Sequence, residues 1–353
     1  MHSINTDFGG LTGFDSNNTT ISCYWDTQLS GIINSPSGIG KNTFEMNQKS
    51  TFIGWDFTTY WDIHTTLNNG YPYFVWQGLV PLNPFETGDG TINNPFQVAN
   101  AIQLNEVRNY LYSYFVQIAD IDIGVSPWNQ GLGWIPIGDA VLFFEGNYNG
   151  NNYNISGLTI KNTYITMVGL FGWNKRCTLK NINIIDALID VNPYEVGALV
   201  GRISDHSIII NCSSSGNISS TGVVGGLVGD IYDNSHIYNS YSTCNIDAFN
   251  ENYATHVGGL TGSAVSGCII ENCYATGSIQ GIRDIAKVGG LIGNNLGSCP
   301  VINCYSTGNI SGTGENVGGL IGLLQDSQCT DSYWDIETSS IDSSACGIGK
   351  TTA

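Results

Sequence analysis

Basic residues are scarce. Lys and Arg number 11 against 29 Asp and Glu, which gives a formal charge of -18 over 353 residues. A surface of that sign repels phosphate, so neither nucleic acid nor an anionic membrane is expected as a partner. Charged residues of both signs together make up only 11%, less than half the usual share. The polar positions fall instead to Asn, Ser, Thr and Gly, the residues of turn-rich β proteins. No apolar run reaches the ~18 residues of a membrane-spanning helix, so no membrane insertion by this segment is expected. Met1 leads straight into HSINTDFGG, which has neither the basic start nor the apolar middle of a signal peptide. The expectation is a mature form or a piece of a longer chain. The five histidines (His2, His64, His206, His236 and His256) form no HExxH pair, and their scattered positions define no Ser-His-Asp set. None of the ten cysteines stands in a CxxC pair, which argues against zinc.

Glycine, by contrast, is abundant and placed with regularity. VGLFG (168–172), VGALVG (196–201), VGGLVG (224–229), VGGLTG (257–262), VGGLIG (288–293) and VGGLIG (317–322) follow one another, and FGGLTG (8–13) adds a distant copy. Their leucines are Leu170, Leu199, Leu227, Leu260, Leu291 and Leu320, spaced 28 to 33 residues apart. An Asn lies 11 or 12 residues beyond each of the first five: Asn181, Asn211, Asn239, Asn272 and Asn303, with Asp331 in the last copy. Soon after come GNI (216–218), CNI (244–246), GSI (277–279) and GNI (308–310). Short apolar patches alternating with small polar turns at this period predict three short strands per repeat, stacked repeat on repeat. Neighbouring coils would lie ~4.8 Å apart, so equivalent side chains pile into ladders. Leucines would form an aliphatic ladder inside. Asn tolerates left-handed turns and can bond its own kind above and below.

VGGLVG followed by NCYSTGNI resembles the GLUG-motif repeats of secreted and cell-surface proteins, over residues 165–335 or so. Such proteins include adhesin-like chains and accessory regions of bacterial immunoglobulin-A proteases. The resemblance implies a non-catalytic surface architecture and names no ligand.

A longer echo overlies the short one. GGLTG at 9–13, YWD at 24–26 and GIGK at 38–41 match GGLIG at 318–322, YWD at 333–335 and GIGK at 347–350, each at an offset of 309. The start of the chain therefore reads as the end of a solenoid. After the first GIGK comes an aromatic stretch, with Trp55, Trp61, Tyr71, Tyr73, Phe74 and Trp76 as candidates to cover an open solenoid end. Two explanations stand open: a tandem array of ~300-residue modules, or a head-to-tail fibre in which the start of one subunit completes the end of the next. The expected fold is all-β, a parallel β-helix or β-solenoid of about six coils. Residues 1–48 would be the final coil and tail of a preceding module, 49–82 the closing segment, 83–164 the opening cap, 165–335 the GLUG-repeat solenoid and 336–353 a tail repeating 27–44. In the opening cap, Val98, Ile102 and Leu111 at near-helical spacing predict a short helix, with Pro95 near its start.

Individual residues carry sharper readings and plainer ones. Adjacent-coil pairs Cys268/Cys299 and Cys273/Cys304 fall within disulfide reach, yet in-register parallel neighbours meet the dihedral poorly, and buried thiols as filler are the plainer reading. GIGKTT (347–352) lacks the first glycine of a phosphate loop, because Ser344 occupies that place. Asp120 and Asp122 are the candidates for calcium as a cofactor. Tyr241, Tyr274 and Tyr305 come directly after the Asn column, with Tyr24, Tyr333 and Trp173 as further aromatics. They form either a stacking ladder or a sugar platform. Arg202 and Arg283 are too isolated to serve a uronate lyase. Sequons at Asn17, Asn18, Asn154, Asn211, Asn217 and Asn309 mark possible glycosylation, with Asn211 occupied by its ladder. Together these features predict no catalysis. The expected function is an extracellular fibre, stalk or adhesin module whose partners are further copies of itself, with surface glycans or host receptors as additional partners. The alternative is a carbohydrate-binding module or a polysaccharide-degrading β-helix enzyme.

Overall fold

The computed structural model describes residues 9–15, 21–64, 67–77, 84–161, 165–192, 195–248, 256–282, 286–312 and 316–352. It falls into two compact units, Met1–Pro84 and Phe85–Ala353.

The second unit is a parallel β-solenoid of about seven turns. Two six-stranded sheets are built from the glycine motif and the residues immediately after it. One runs through Val196, Val224, Val257, Val288 and Val317. The other runs in register through Val200, Val228, Thr261, Ile292 and Ile321. A nine-stranded sheet carries the strand before the ladder Asn, and a thirteen-stranded sheet carries the rest of each coil. The nine-stranded sheet explains why the stack exceeds the six coils counted from leucines. Strands Phe96–Val98, Tyr114–Gln117 and Asn147–Asn149 pair in parallel beneath Thr178–Lys180, so residues assigned to an opening cap already wind with the solenoid.

The glycines have a steric cause. In VGGLxG the chain turns back so that two strands meet backbone to backbone. A Cβ on Gly258 would lie 2.1 Å from Thr261 O, and one on Gly289 would lie 2.0 Å from Ile292 O. The third-position glycines face the opposite wall. Gly226, Gly259 and Gly290 look onto Ser242 Oγ, Ala275 Cβ and Ser306 Oγ at 2.1, 2.7 and 2.7 Å from a built Cβ. Small residues on both walls let a thin core close.

Between them, all six motif leucines are fully buried. They form a single column, with Leu199 N donating to Leu227 O (3.0 Å), Leu227 N to Leu260 O (3.0 Å), Leu260 N to Leu291 O (3.0 Å) and Leu291 N to Leu320 O (2.9 Å). Aliphatic columns such as Ile189, Ile218, Ile246, Ile279 and Ile310 line the remaining walls. The first turns are filled by aromatics, with Phe115, Phe144, Tyr148, Phe171 and Trp134 buried.

The expected helix of the opening is Ala101–Glu106, capped by Asn100, whose side chain accepts from Gln103 N. Its position differs from the spacing argument. Pro95 precedes a strand, Val98 lies in that strand, and Ile102 is 61% exposed while Leu104 and Val107 are buried. The cap at Asn100 fixes the helix phase, and that phase turns Ile102 outward.

In the first unit, strand Tyr24–Asp26 pairs with Ile39–Lys41. Around it the aromatic segment builds a small core of Met46, Phe52 and Ile63, with Tyr24, Trp55, Phe57 and Tyr71 packed against it. The antiparallel pair Trp61–Asp62 and Tyr73–Phe74 closes the segment.

Candidate functional site: ladders, a buried charge cluster and a duplicated tail

The Asn column sits at the corner after five successive strands of the nine-stranded sheet. Asn181, Asn211, Asn239, Asn272 and Asn303 have φ of 54, 54, 47, 55 and 53°, the left-handed region that Asn enters cheaply. Asn211 Nδ2 donates to Asn181 Oδ1 (3.1 Å), Asn272 to Asn239 (3.1 Å) and Asn303 to Asn272 (3.2 Å). The ladder extends one step below the repeats, where Asn181 donates to Asn149 Oδ1 (2.9 Å).

The cysteines obey a related rule. Cys268, Cys299, Cys273 and Cys304 are free thiols, which corrects the pairings considered from sequence. Each coil presents its Cys or Ser in the same direction, so the sulfurs bond up and down the stack and not to each other. Cys273 N donates to Cys304 Sγ (3.4 Å), and Cys304 N donates to Ser332 Oγ (3.1 Å). Below them Cys212 N donates to Ser240 Oγ (3.1 Å). In the second column Cys177 N donates to Ser207 Oγ (3.3 Å) and Cys268 N to Cys299 Sγ (3.2 Å). Burial pushes the Cys177 and Cys212 thiols up to about 12, so they stay neutral. The disulfide joins Cys329 to Cys346, seventeen residues apart. Neither residue lies in the repeating columns that suggested the other pairs.

Tyr241, Tyr274 and Tyr305 stack face to face, with centroids 4.6 and 4.9 Å apart and planes within 4 and 7°. The two contacts take both faces of Tyr274 and one face each of Tyr241 and Tyr305. Trp173 is occupied likewise, with Lys175 Nζ 4.6 Å and the Arg202 guanidinium 5.0 Å from its ring.

Asp120 and Asp122 satisfy backbone amides. Asp120 accepts from Asn154 N and Asp122 from Gly124 N, both at 2.8 Å. Among the described residues no three His, Cys, Asp or Glu groups gather as a metal site. Of the sequon asparagines, Asn217 and Asn309 are exposed and Asn154 is half-buried in a strand. Asn211 is held in its ladder, and Asn17 and Asn18 lie outside the described residues. Arg283 lies outside them too.

Arg202 is not isolated. It is ion-paired with Glu195 across the arch and lies 3.8 Å from Asp230 one coil above. Two carboxylates share one guanidinium in a buried setting. Burial first, and the Glu195 charge second, push Asp230 up to about 8. Burial raises Glu195 as well, against the pull of Arg202. Sequence reasoning missed this cluster, although Arg202 and Asp230 occupy the same position directly after successive glycine motifs.

Outside the thirteen-stranded sheet runs a groove of about 320 Å³, whose polar lining includes Asp190, Asn217, Ser219, Asn245, Asp247 and Gln280. Asp190, Ser219 and Asp247 occupy one register column, so the two carboxylates stand two coils apart.

The 309-residue echo is geometric as well as sequential. Tyr24, Trp25 and Asp26 pair with Ile39, Gly40 and Lys41, as Tyr333, Trp334 and Asp335 pair with Ile348, Gly349 and Lys350. Trp25 Nε1 donates to Ile32 O (2.9 Å) and Trp334 Nε1 to Ile341 O (3.0 Å). Asp26 caps the turn at Gln28 and Leu29, and Asp335 caps the turn at Glu337 and Thr338.

Parallel strands stacked in register, glycine arches and Asn corners define a β-solenoid of repeating coils. The GLUG-motif family model matches residues 192–219, 253–280 and 287–311, so the solenoid carries GLUG repeats. Over 148 residues the chain is 38% identical to a protein of Evansella cellulosilytica named as a Gly-rich membrane protein, a match spanning 40% of this chain and 17% of that one. Over 154 residues it is 29% identical to halomucin of Haloquadratum walsbyi, spanning 41% of this chain and 2% of that one. The matched part is thus a small fraction of either relative. Among solved structures, a candidate immunoglobulin A1 protease from Bacteroides ovatus superposes with a TM-score of 0.62 at 24% identity, over 76% of this chain and 87% of that one. An IgA1 protease gives 0.55 at 20% identity, over 72% of this chain and 20% of that one. At these identities the likeness is one of fold. No described helix is long and apolar enough to cross a membrane.

Proposed function

We propose that this chain is a non-catalytic structural module of an extracellular surface protein, part of a fibre, stalk or adhesin built from such modules end to end. The duplicated tail carries the reading: one chain holds the same terminal coil twice, 309 residues apart, with the same pairing, the same Trp anchor and the same Asp cap. The Leu, Asn, Cys and Tyr columns are all consumed in holding coil to coil. The names of the relatives, a membrane protein and a halomucin, agree with an outside location. Proteolysis, named for the two solved structures, is not carried over, because at 24% and 20% identity the likeness is one of fold. Electron microscopy of the purified native assembly tests the reading. Linear arrays with a regular repeat are expected, and compact particles of a single module would overturn it.

One observation favours a second reading, a carbohydrate-binding or carbohydrate-cleaving module. The groove bearing Asp190, Asn217, Asn245 and Asp247 offers amides and carboxylates in rows. A glycan array with a reducing-sugar assay separates the readings. Binding or release of sugar that disappears in Asp190→Asn and Asp247→Asn would put the second reading first.

A further inference from the structure

The duplicated tail carries an inference that rests on the modular reading and gives the joint between modules a specific chemistry. In the first unit, residues 22–41 are covered by the aromatic segment next in the chain. The Tyr24 ring stands edge-on to Phe52 (5.2 Å) and Trp55 (6.2 Å), and its hydroxyl accepts from Ile53 N (3.0 Å). Trp55 Nε1 donates to Ser22 O (2.6 Å), and Tyr71 donates its hydroxyl proton to Asp26 Oδ2 (2.6 Å). Lys41 pairs with Glu45 (3.0 Å). One aromatic ring, one carbonyl, one carboxylate and one ammonium on the tail are each matched.

The second tail presents these groups again as Tyr333, Asp331, Asp335 and Lys350. The corner that aims the carbonyl has the same left-handed backbone, with φ 51° at Ser22 and 45° at Asp331. Here the occupants differ. Lys350 Nζ lies 5.8 Å from the Tyr333 ring, and Thr352 Oγ1 donates to Asp335 Oδ2 (2.7 Å). Lys350 stands by the ring that Phe52 and Trp55 flank in the first tail, while Thr352 bonds Asp335 as its counterpart Thr43 bonds Asp26 beside Tyr71.

We propose that the tail Asp331–Lys350 is a docking surface for a polypeptide segment with the chemistry of residues 42–77. Tyr333 would receive the Phe52 and Trp55 rings and the Ile53 amide. Asp331 O would receive the Trp55 indole, Asp335 the Tyr71 hydroxyl, and Lys350 the Glu45 carboxylate. Thr352 would share Asp335 with the incoming tyrosine, as Thr43 shares Asp26 with Tyr71. The chain's own segment remains on residues 22–41, because direct linkage gives it a high effective concentration there. A free segment of this chemistry added to residues 1–353 therefore has Asp331–Lys350 to bind.

The test titrates the full chain with a synthetic peptide of residues 42–77, read by calorimetry. One site per chain is expected. Affinity should fall at least tenfold in Tyr333→Ala and Asp335→Ala, and should be unchanged in Tyr112→Ala, a substitution at an exposed residue far from the tail in sequence. A peptide carrying Trp55→Ala, used against the unaltered chain, should lose binding to the same extent and removes any question of receptor folding. No binding, or binding indifferent to these changes, overturns the proposal. So does assembly of full chains through Tyr333 that the peptide cannot block, since the occupant would then be a second copy using another surface. A positive glycan array would sink the structural reading and leave this result untouched. Failed peptide binding would sink the joint and leave the array result untouched.

Discussion

The α-carbon of Gly262 faces the backbone nitrogen of Val224 so closely that an added Cβ would sit 2.6 Å from it. The same contact recurs one coil on, between Gly293 and Val257 N at 2.5 Å, and again between Gly322 and Val288 N at 2.5 Å. Repetition of the glycine motif thus records a packing distance between two backbones, not a ligand loop. Gly262→Ala should cost about 3 kcal/mol or more, since neither backbone can yield without disturbing its neighbours. Gly131 makes the comparison: its φ is +57° with nothing within 4 Å of a built Cβ, so Gly131→Ala should cost only ~1 kcal/mol of backbone strain. Urea unfolding monitored by circular dichroism reads both, and equal losses would contradict the packing account.

The Asn ladder separates two contributions within one residue. Asn272 holds a left-handed corner and links the amides of Asn239 and Asn303. Asn272→Gly keeps the corner and loses the links, at about 1 kcal/mol. Asn272→Ala loses both and should cost about 1–2 kcal/mol more. Thermal melts of the three proteins should rank Asn above Gly above Ala. A glycine variant as unstable as the alanine variant would place all the stability in the side-chain amides.

Much of this fold was legible because stacking makes the sequence repeat. Leu227, Leu260 and Leu291 recur in sequence since each must occupy one column, and Asn239, Asn272 and Asn303 recur since each turns one corner. What escaped was whatever changes from coil to coil. Arg202 and Asp230 hold the same place in successive coils but are a base and an acid, so a search for likeness passes over them. Cys329 and Cys346 were missed for the opposite reason: Cys329 pairs with Val301 in the last strand of the nine-stranded sheet and Cys346 lies in the tail, both outside the columns that drew attention to the other cysteines. The alternation of Cys with Ser at 212, 240, 273, 304 and 332 was visible throughout. It becomes intelligible only when the sulfur is treated as a hydrogen-bond acceptor and not as a crosslinking group.

That exchange is directly testable at Cys304. Its sulfur accepts from Cys273 N and donates to Ile302 O (3.1 Å). Cys304→Ser preserves both roles and should change stability by less than about 1 kcal/mol. Cys304→Val preserves volume but leaves the Cys273 amide buried without its acceptor, at about 1–3 kcal/mol. Hydrogen exchange should show faster opening at the Cys273 amide in the valine variant alone. If valine is the better substitute, the column is held by packing.

The charge cluster predicts an unusual pH dependence. Unfolded, Asp230 should titrate near ~3.9; folded, it is pushed up to about 8. Between those values the folded chain holds a proton that the unfolded chain has released. Unfolding free energy must therefore fall as pH rises through this window, the reverse of a salt-bridged carboxylate. Asp230→Asn removes the titration and keeps the shape of the side chain, while Arg202 retains Glu195 as its partner. The variant should gain on the parent protein as pH rises, with the difference in unfolding free energy between them growing by more than about 1 kcal/mol from about pH 5 to about pH 8. Urea titrations at those two pH values measure it. A constant difference would mean that Arg202 keeps Asp230 ionised throughout, with the guanidinium outweighing burial at this site.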